Sequence, residues 1–219
     1  NRVYDPDDAP GDWSVNKSCT IYVDLIRSAT KILRVKFHGS RGTVGLFSSV
    51  GQIPFLQFRF QSLYTIPADV AVMLASIAYD TTEPVAVENR DLKIAGSAFA
   101  PPVNDVQIEL NNPIIAVTSH NKDHGLDRIT LGKRRPMGSM NPELDQETIY
   151  PFWTRWQGET QIQLDLSFGS AAGNIVDVLC PKIQFDALNV GEGGELRLYD
   201  VPFSINRNSG GDEIKLTFR

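Results

Sequence analysis

Alternation of apolar and polar residues is the feature that most constrains how this chain can fold. In 160-TQIQLDLSF-168, four apolar side chains share one face, and polar side chains share the other. The same alternation recurs around residues 33–37, 106–110 and 214–218. A period of two is typical of a strand with one buried and one wet face, and such strands belong to antiparallel sheets. The sequence therefore predicts a mainly β protein.

Helical signals are confined to two segments. Within residues 141–156, Asn141 suits an N-cap and Pro142 suits the first helical position, with acidic residues in the first turn. Because Pro151 interrupts this pattern, we expect one or two short helices there. Residues 69–80 are compatible with either a helix or a strand.

Two short motifs, P-x-[LI]-Q-F and L-Y-x-[IV]-P, each occur twice and in the same order. The matched segments are Pro54–Phe58 with Pro181–Phe185, and Leu63–Pro67 with Leu198–Pro202. The second copy is longer because it includes the turn-rich stretch 191-GEGGE-195. Internal repetition of this kind indicates a duplicated unit. We therefore expect two tandem antiparallel β domains, 1–102 and 103–219, divided near the two prolines of 100-APPVND-105.

The ends and the hydropathy of the chain add two expectations. The first residue is Asn1 and not methionine, so we expect an N-terminal piece of the first domain to be missing from this sequence. No apolar run approaches the roughly 18–20 residues that a membrane-spanning helix needs.

Charge and cysteine content limit the function classes. The net charge of -5 argues against a protein that grips nucleic acid by its phosphates, because such binding needs clusters of lysine and arginine. It does not argue against a surface past which nucleic acid slides. Cys19 and Cys180 give no disulfide framework, and each is expected as a small thiol at the edge of a strand, with their pairing left open.

Two segments could bind a metal ion. His120, Asp123 and His124 lie within five residues, yet no further ligand is evident, and an exposed hairpin loop explains them better. The acidic stretch 5-DPDDAPGD-12 lacks the ligand spacing of a calcium loop, so we interpret it as a solvated arm.

Two further segments could bind other ligands. The basic run 133-KRRP-136 is too short for a nucleic-acid site, and we expect a salt bridge between subunits or a solvated loop. Trp153 and Trp156, with Tyr150 and Phe152, could stack on a sugar, but such a cluster more often packs a helix onto a sheet or fills an interface. No catalytic motif is present, so we predict no enzyme, no catalytic or metal-binding residue and no cofactor.

Several segments together resemble the major tail tube proteins of long, non-contractile-tailed bacteriophages. The most specific are the R-G-T-V of Arg41–Val44 followed by 53-IPFLQFRFQSLY-64, and the R-P-x-G-S turn of Arg135–Ser139. The resemblance extends over most of the chain, through 3-VYDPDD-8, 19-CTIYVDL-25, 84-PVAV-87, 111-NNPIIAV-117 and the final strand 212-DEIKLTF-218.

This resemblance implies a β-sandwich flanked by a helix, whose sheets join those of neighbouring subunits into a barrel around a wide channel. Rings of such subunits stack head to tail into the tube through which the phage genome leaves. The implied partners are the tape measure protein inside the tube, the tail terminator and distal tail proteins at its ends, and genomic DNA in transit without specific binding, with no membrane. The implied location is the virion tail, assembled in the cytoplasm of the bacterial host.

The repeat adds an expectation about symmetry. If each chain carries two tube domains, three chains supply the six domains of a sixfold-like ring, so we favour trimeric rings over hexamers. Ring-to-ring contacts are expected in the arm 1–18 and in the predicted loops 118–128 and 133–147. The alternatives are a tube protein of another phage-like injection device and, with less support, a carbohydrate-binding β-sandwich.

Overall fold

The computed structural model describes residues 2–4, 18–28, 31–70, 84, 86–87, 90–99, 101–193 and 196–219. Its strands are β1 (Arg2–Tyr4), β2 (Cys19–Ser28), β3 (Lys31–Ser49), β4 (Phe55–Leu63), β5 (Ala68–Val70), β6 (Arg90–Ile94), β7 (Ser97–Ala98), β8 (Val103–Glu109), β9 (Ile114–Thr118), β10 (Leu126–Leu131), β11 (Met137–Pro142), β12 (Ile162–Phe168), β13 (Val176–Phe185), β14 (Asn189–Gly193), β15 (Leu196–Asn206) and β16 (Lys215–Phe218). The helical elements are α1 (Phe152–Gln157) and a 3-10 turn (Asp123–Gly125). The predicted mainly β class is confirmed.

One large antiparallel sheet contains most of these strands. Its main path runs β2-β3-β8-β11-β15-β13-β12-β6-β7, and β9 with β10 forms a separate hairpin. Strands β4 and β5 pair with β3, β14 pairs with β15, β16 pairs with β13, and β1 pairs with β16. The sheet stays open and does not close into a barrel within the chain.

Two long strands bend and change neighbours, and each bends at a bulge. Gly39 and Ser40 of β3 together oppose Ser62, since His38 pairs with Leu63 and Arg41 with Gln61. Gly39 has a φ of 59°, which glycine adopts without the steric cost of a Cβ atom. Before this bulge β3 pairs with β2 and β5 and, at His38, with β4, and after it β3 pairs with β4 and β8.

The bulge in β13 contains a proline. Pro181 and Lys182 oppose Gln163 of β12, because Ile162 pairs with Ile183 and Leu164 with Cys180. Proline has no N–H to donate to the ladder, so a bulge is one of the few places in a sheet that accepts it. Before the bulge β13 lies between β12 and β16, and after it β13 pairs with β15.

One hydrophobic core fills the space inside the bent sheet. The apolar face predicted for 160–168 is buried, as is that of 106–110. The core contains Leu46, Leu92 and Ile94, which precede residue 102, and Met140, Phe152 and Phe203, which follow it. The predicted boundary falls between β7 and β8, yet β3 pairs with β8 and β6 pairs with β12 across it. Strands from both predicted units therefore share one sheet, and the division into two tandem domains stays a prediction.

The prediction of a helix that starts at Asn141 is wrong. Residues Met137–Pro142 form β11, which lies between β8 and β15, and the Asn141 amide bonds to the backbone N–H and the carboxylate of Asp105. Pairing with two flanking strands outweighs the local capping signal. The short helix starts only after Pro151. Of the ambiguous segment 69–80, residues 69–70 lie in β5, and 71–80 lie outside the described residues.

Candidate assembly surface

The structure gives no support for the two candidate metal segments. The part of the chain that it describes contains no cluster of three metal-ligating side chains. His124 lies in the turn between β9 and β10 with a φ of 60°, and its ring packs edge-on against Tyr64, with 5.0 Å between centroids. The acidic stretch 5–12 lies outside the described residues.

The basic run 133–136 is tied to its own chain. The Arg134 guanidinium donates to both carboxylate oxygens of Glu213 at 3.0 to 3.2 Å, and both side chains are nearly buried. This pair attaches the segment before β11 to the start of β16. The expectation of a salt bridge between subunits is therefore not met by Arg134, which pairs within the chain.

The aromatic cluster packs α1 onto the sheet. Phe152 is buried between Tyr150, Phe185 and Tyr199, with ring centroids 4.6 to 6.0 Å away. The Trp153 indole N–H donates to the Tyr199 hydroxyl at 3.0 Å. Burial of Tyr150 raises the pKa of its phenol to about 12, despite the opposing charge of Arg155.

The second tryptophan of the cluster is also engaged within the chain. The Trp156 indole N–H donates to the carbonyl of Asp186 at 3.1 Å. Because both indole donors are used, the cluster serves packing and offers no indole N–H for a sugar hydroxyl.

The two cysteines are not paired. Cys180 is fully buried in β13, and burial raises the pKa of its thiol to about 12. Cys19 is exposed at the start of β2. One thiol is therefore shielded from solvent and one is accessible.

Strand β2 and the first half of β3 form a hairpin with an apolar face. Cross-strand pairs place Ile21 beside Phe37, Val23 beside Val35, and Leu25 beside Leu33, all on the same side. Val23, Leu25 and Phe37 are exposed, and the other three are half-buried. A row of six apolar side chains that are exposed or only half-buried is unusual on a protein that works as a monomer.

The opposite face of this hairpin is charged. Arg34 makes two hydrogen bonds of 2.8 Å to the Asp24 carboxylate, and these bonds hold the pKa of Asp24 below its usual value. The Arg34 guanidinium and the Lys36 ammonium lie 5.4 and 6.0 Å from the centroid of the Tyr22 ring. This face therefore combines the charged Asp24, Arg34 and Lys36 with Tyr22 and the exposed Ile26.

Strand β4 continues the exposed apolar surface. Leu56, Phe58 and Phe60 share a face, and only Leu56 packs against the core, while Phe58 and Phe60 are 58% and 46% exposed. The Phe60 ring lies directly over Gly42, where an added Cβ would come within 2.6 Å of the ring. The alternation in β4 predicts that this whole face packs into the domain core. That prediction is wrong for Phe58 and Phe60, because the core ends near Leu56.

Exposed apolar side chains concentrate in this part of the molecule. Twelve of the twenty large hydrophobic side chains exposed among the described residues lie between Tyr22 and Ile66. They include Tyr64 and Ile66, which directly follow β4. We name the surface formed by β2, the first half of β3, β4 and residues 64–66 the apolar strand surface.

The main sheet also has a wet face, which lies opposite the core. Its register aligns one row of side chains across six strands, and that row consists of Gln57, Gly45, Glu109, Met137, Ser204 and Gln184. A neighbouring row contains Gln107 and Ser139. Amide, hydroxyl and carboxylate groups therefore predominate on this face away from the β4 edge, where Phe55 stacks on Phe47 at 5.3 Å.

A bent antiparallel sheet with one wet face and a large apolar strand surface is typical of a structural subunit that associates through its β surfaces. The family model described as phage tail tube protein matches residues 27–215. The chain belongs to this family, a family of structural proteins of the phage tail. No curated protein matches it. None of the described helices is long and apolar enough to span a membrane.

Proposed function

We propose that this chain polymerises into stacked rings that form the tail tube, the conduit through which phage DNA passes into the host. The observation that carries the proposal is the apolar strand surface, with Phe58, Phe60, Tyr64 and Ile66 exposed. Burying one large apolar side chain contributes about 1.5–3 kcal/mol, so these residues favour association strongly. Membership of the tail tube family points to further copies of this chain as the partner.

The wet face of the main sheet is our candidate for the channel wall. A row containing Gln57, Glu109, Ser204 and Gln184 presents polar groups without a cluster of cations. Together with the net charge of -5, this face would leave the phosphate backbone without strong binding sites, so that DNA slides through.

The repeated motifs support trimeric rings with pseudo-sixfold symmetry, with hexamers as the alternative. In this arrangement each chain supplies two tube-type units, and the open edges of the sheet join to those of neighbouring copies to close the barrel. The tape measure protein would occupy the channel, and tail terminator and distal tail proteins would bind its ends. Assembly would take place in the cytoplasm of the bacterial host, and the protein would have no enzymatic role.

Electron microscopy of purified protein tests this function. At rising concentration, we expect hollow tubes of constant diameter in negative stain, with end-on class averages that show three chains per ring. Protein that stays monodisperse at all concentrations would contradict polymerisation, and binding on a glycan array without tubes would favour a carbohydrate-binding module. A ring of six chains would retain the tube and overturn only the trimer.

Deletion of residues 133–147, where ring-to-ring contacts are expected, is not a suitable test. That segment contains β11, and Met140 within it is buried, so its removal would disrupt the sheet. Substitutions of exposed side chains are the appropriate alternative.

A further inference from the structure

The hairpin of β2 and the first half of β3 is basic, although the chain is acidic. Residues 19–40 contain four cations, Arg27, Lys31, Arg34 and Lys36, and one acid, Asp24, which gives a formal charge of 4 - 1 = +3. The whole chain carries -5. We call residues 19–40 the basic hairpin. Its apolar face is described above, and Arg27 and Lys31 are exposed at its tip.

The hairpin of β14 and β15 has the opposite charge. Residues 189–200 contain three acids, Glu192, Glu195 and Asp200, and one cation, Arg197, which gives 1 - 3 = -2. We call residues 189–200 the acidic hairpin. The two hairpins thus carry formal charges of opposite sign.

The acidic hairpin also carries exposed apolar side chains. Val190 in β14 and Leu196 in β15 are exposed. Leu144, also exposed, lies beside β15, because its N–H donates to the carbonyl of Arg197 at 3.0 Å. The strand register places Val190 and Leu196 on opposite faces of the hairpin, so each face carries one exposed apolar side chain.

We propose that the basic hairpin of one copy of this chain docks on the acidic hairpin of the next copy. The proposal rests on the proposed function, since it names the two surfaces through which copies join. Electrostatic attraction favours a contact between one basic and one acidic hairpin, because two hairpins of the same charge placed face to face would repel.

This choice of partner has a structural consequence. A contact between two different surfaces is heterologous, and a heterologous contact propagates into rings or filaments instead of ending at a symmetric dimer. The polarity of a tube thus follows from the charge difference between the two hairpins.

Charge reversal tests the contact. We expect Arg27→Glu with Lys31→Glu to raise the protein concentration needed for tubes by about tenfold or more at low salt. Glu192→Lys with Asp200→Lys should do the same. The variant with all four substitutions should recover tubes near the wild-type concentration, because the charges are complementary again.

The controls separate this contact from general effects. Arg207→Glu with Arg219→Glu makes the same charge change at two exposed cations outside the segments expected to join copies and should leave the threshold within about twofold. Far-ultraviolet circular dichroism and thermal unfolding should show that every variant folds. If either hairpin reversal leaves the threshold unchanged, or the fourfold variant does not recover, the docking proposal is wrong. Wild-type protein that forms no tubes would instead overturn the proposed function.

Discussion

The two copies of the repeated motif have opposite environments. Tyr64 and Ile66 of the first copy are 63% and 73% exposed, whereas their counterparts Tyr199 and Val201 are 5% and 0% exposed. Phe185 is likewise buried where Phe58 is not. Similar residues at matched positions therefore form core in one copy and surface in the other.

The difference follows from what lies over each copy. Phe152 of α1 packs against both Phe185 and Tyr199, so the helix covers the second copy. Among the described residues, no helix ring packs over the first copy; Phe55 stacks on Phe47 of β3, Phe58 on Phe60 at 6.1 Å, and Tyr64 packs against His124. A motif that supports a core in one place and lies open in another fits the proposal that a further copy covers the exposed surface.

Truncation of the two matched phenylalanines should show the largest difference between the buried and the exposed copy. Phe185→Ala should lower the free energy of unfolding by about 3–5 kcal/mol, because it leaves a cavity beside Phe152 in the core. Phe58→Ala should lower it by less than about 1 kcal/mol, as expected for an exposed position. Guanidinium unfolding of dilute, unassembled protein measures both values. Equal losses would show that the two copies are packed alike.

Substitutions in the exposed copy should change the concentration at which tubes form, whereas substitutions in the buried copy should change the stability of the fold. Phe58→Ser with Phe60→Ser should raise the concentration at which tubes form by about tenfold or more, because at least 1.4 kcal/mol of apolar burial is lost per contact. The unfolding midpoint of the monomer should change little. Light scattering against concentration gives the threshold.

A matched substitution completes this test. Ile149→Ser removes an exposed apolar side chain outside the apolar strand surface and should leave the threshold unchanged. If the double variant forms tubes at the wild-type concentration, the face of β4 is not an interface.

The fold class was predictable from sequence because the alternation reports local burial. Ile162, Leu164, Leu166 and Phe168 are all buried, as their period of two requires. The helix expected from Asn141 failed because β8 and β15 supply hydrogen-bond partners that a local capping pattern does not reveal. Tertiary pairing decides such segments.

Only part of the apolar strand surface was predictable from the sequence. Alternation showed that Leu56, Phe58 and Phe60 share a face, but it does not show where the core beneath that face ends. The charge difference between the two hairpins was present in the sequence, yet it becomes meaningful only when the strand register joins residues 19–40 into one unit and 189–200 into another. The resemblance to tail tube proteins rested on motifs, and the family match confirms it.

The smallest predicted effect concerns the cap that holds the helix over the buried copy. The Glu147 carboxylate accepts hydrogen bonds from the N–H groups of Trp153 and Thr154, at 3.2 and 2.9 Å, in the first turn of α1. Partial burial opposes its ionisation, but these bonds outweigh it and lower the pKa of Glu147 from 4.5. Glu147→Gln should therefore cost about 1 kcal/mol or less at pH 7, a fall of about 2–4 °C in Tm.

The lowered pKa of Glu147 determines how the effect of Glu147→Gln on Tm should change with pH. A carboxyl group with a lowered folded-state pKa stabilises the fold fully above its unfolded value of 4.5, and this contribution is lost as pH falls through the folded value. The Tm difference between wild type and Glu147→Gln should thus be constant near neutrality and shrink below about pH 4.5. Glu159→Gln, at an exposed acid beyond the other end of α1, should show no such difference. A difference that persists at low pH would mean that the charge of Glu147 does not stabilise the helix that covers the second copy.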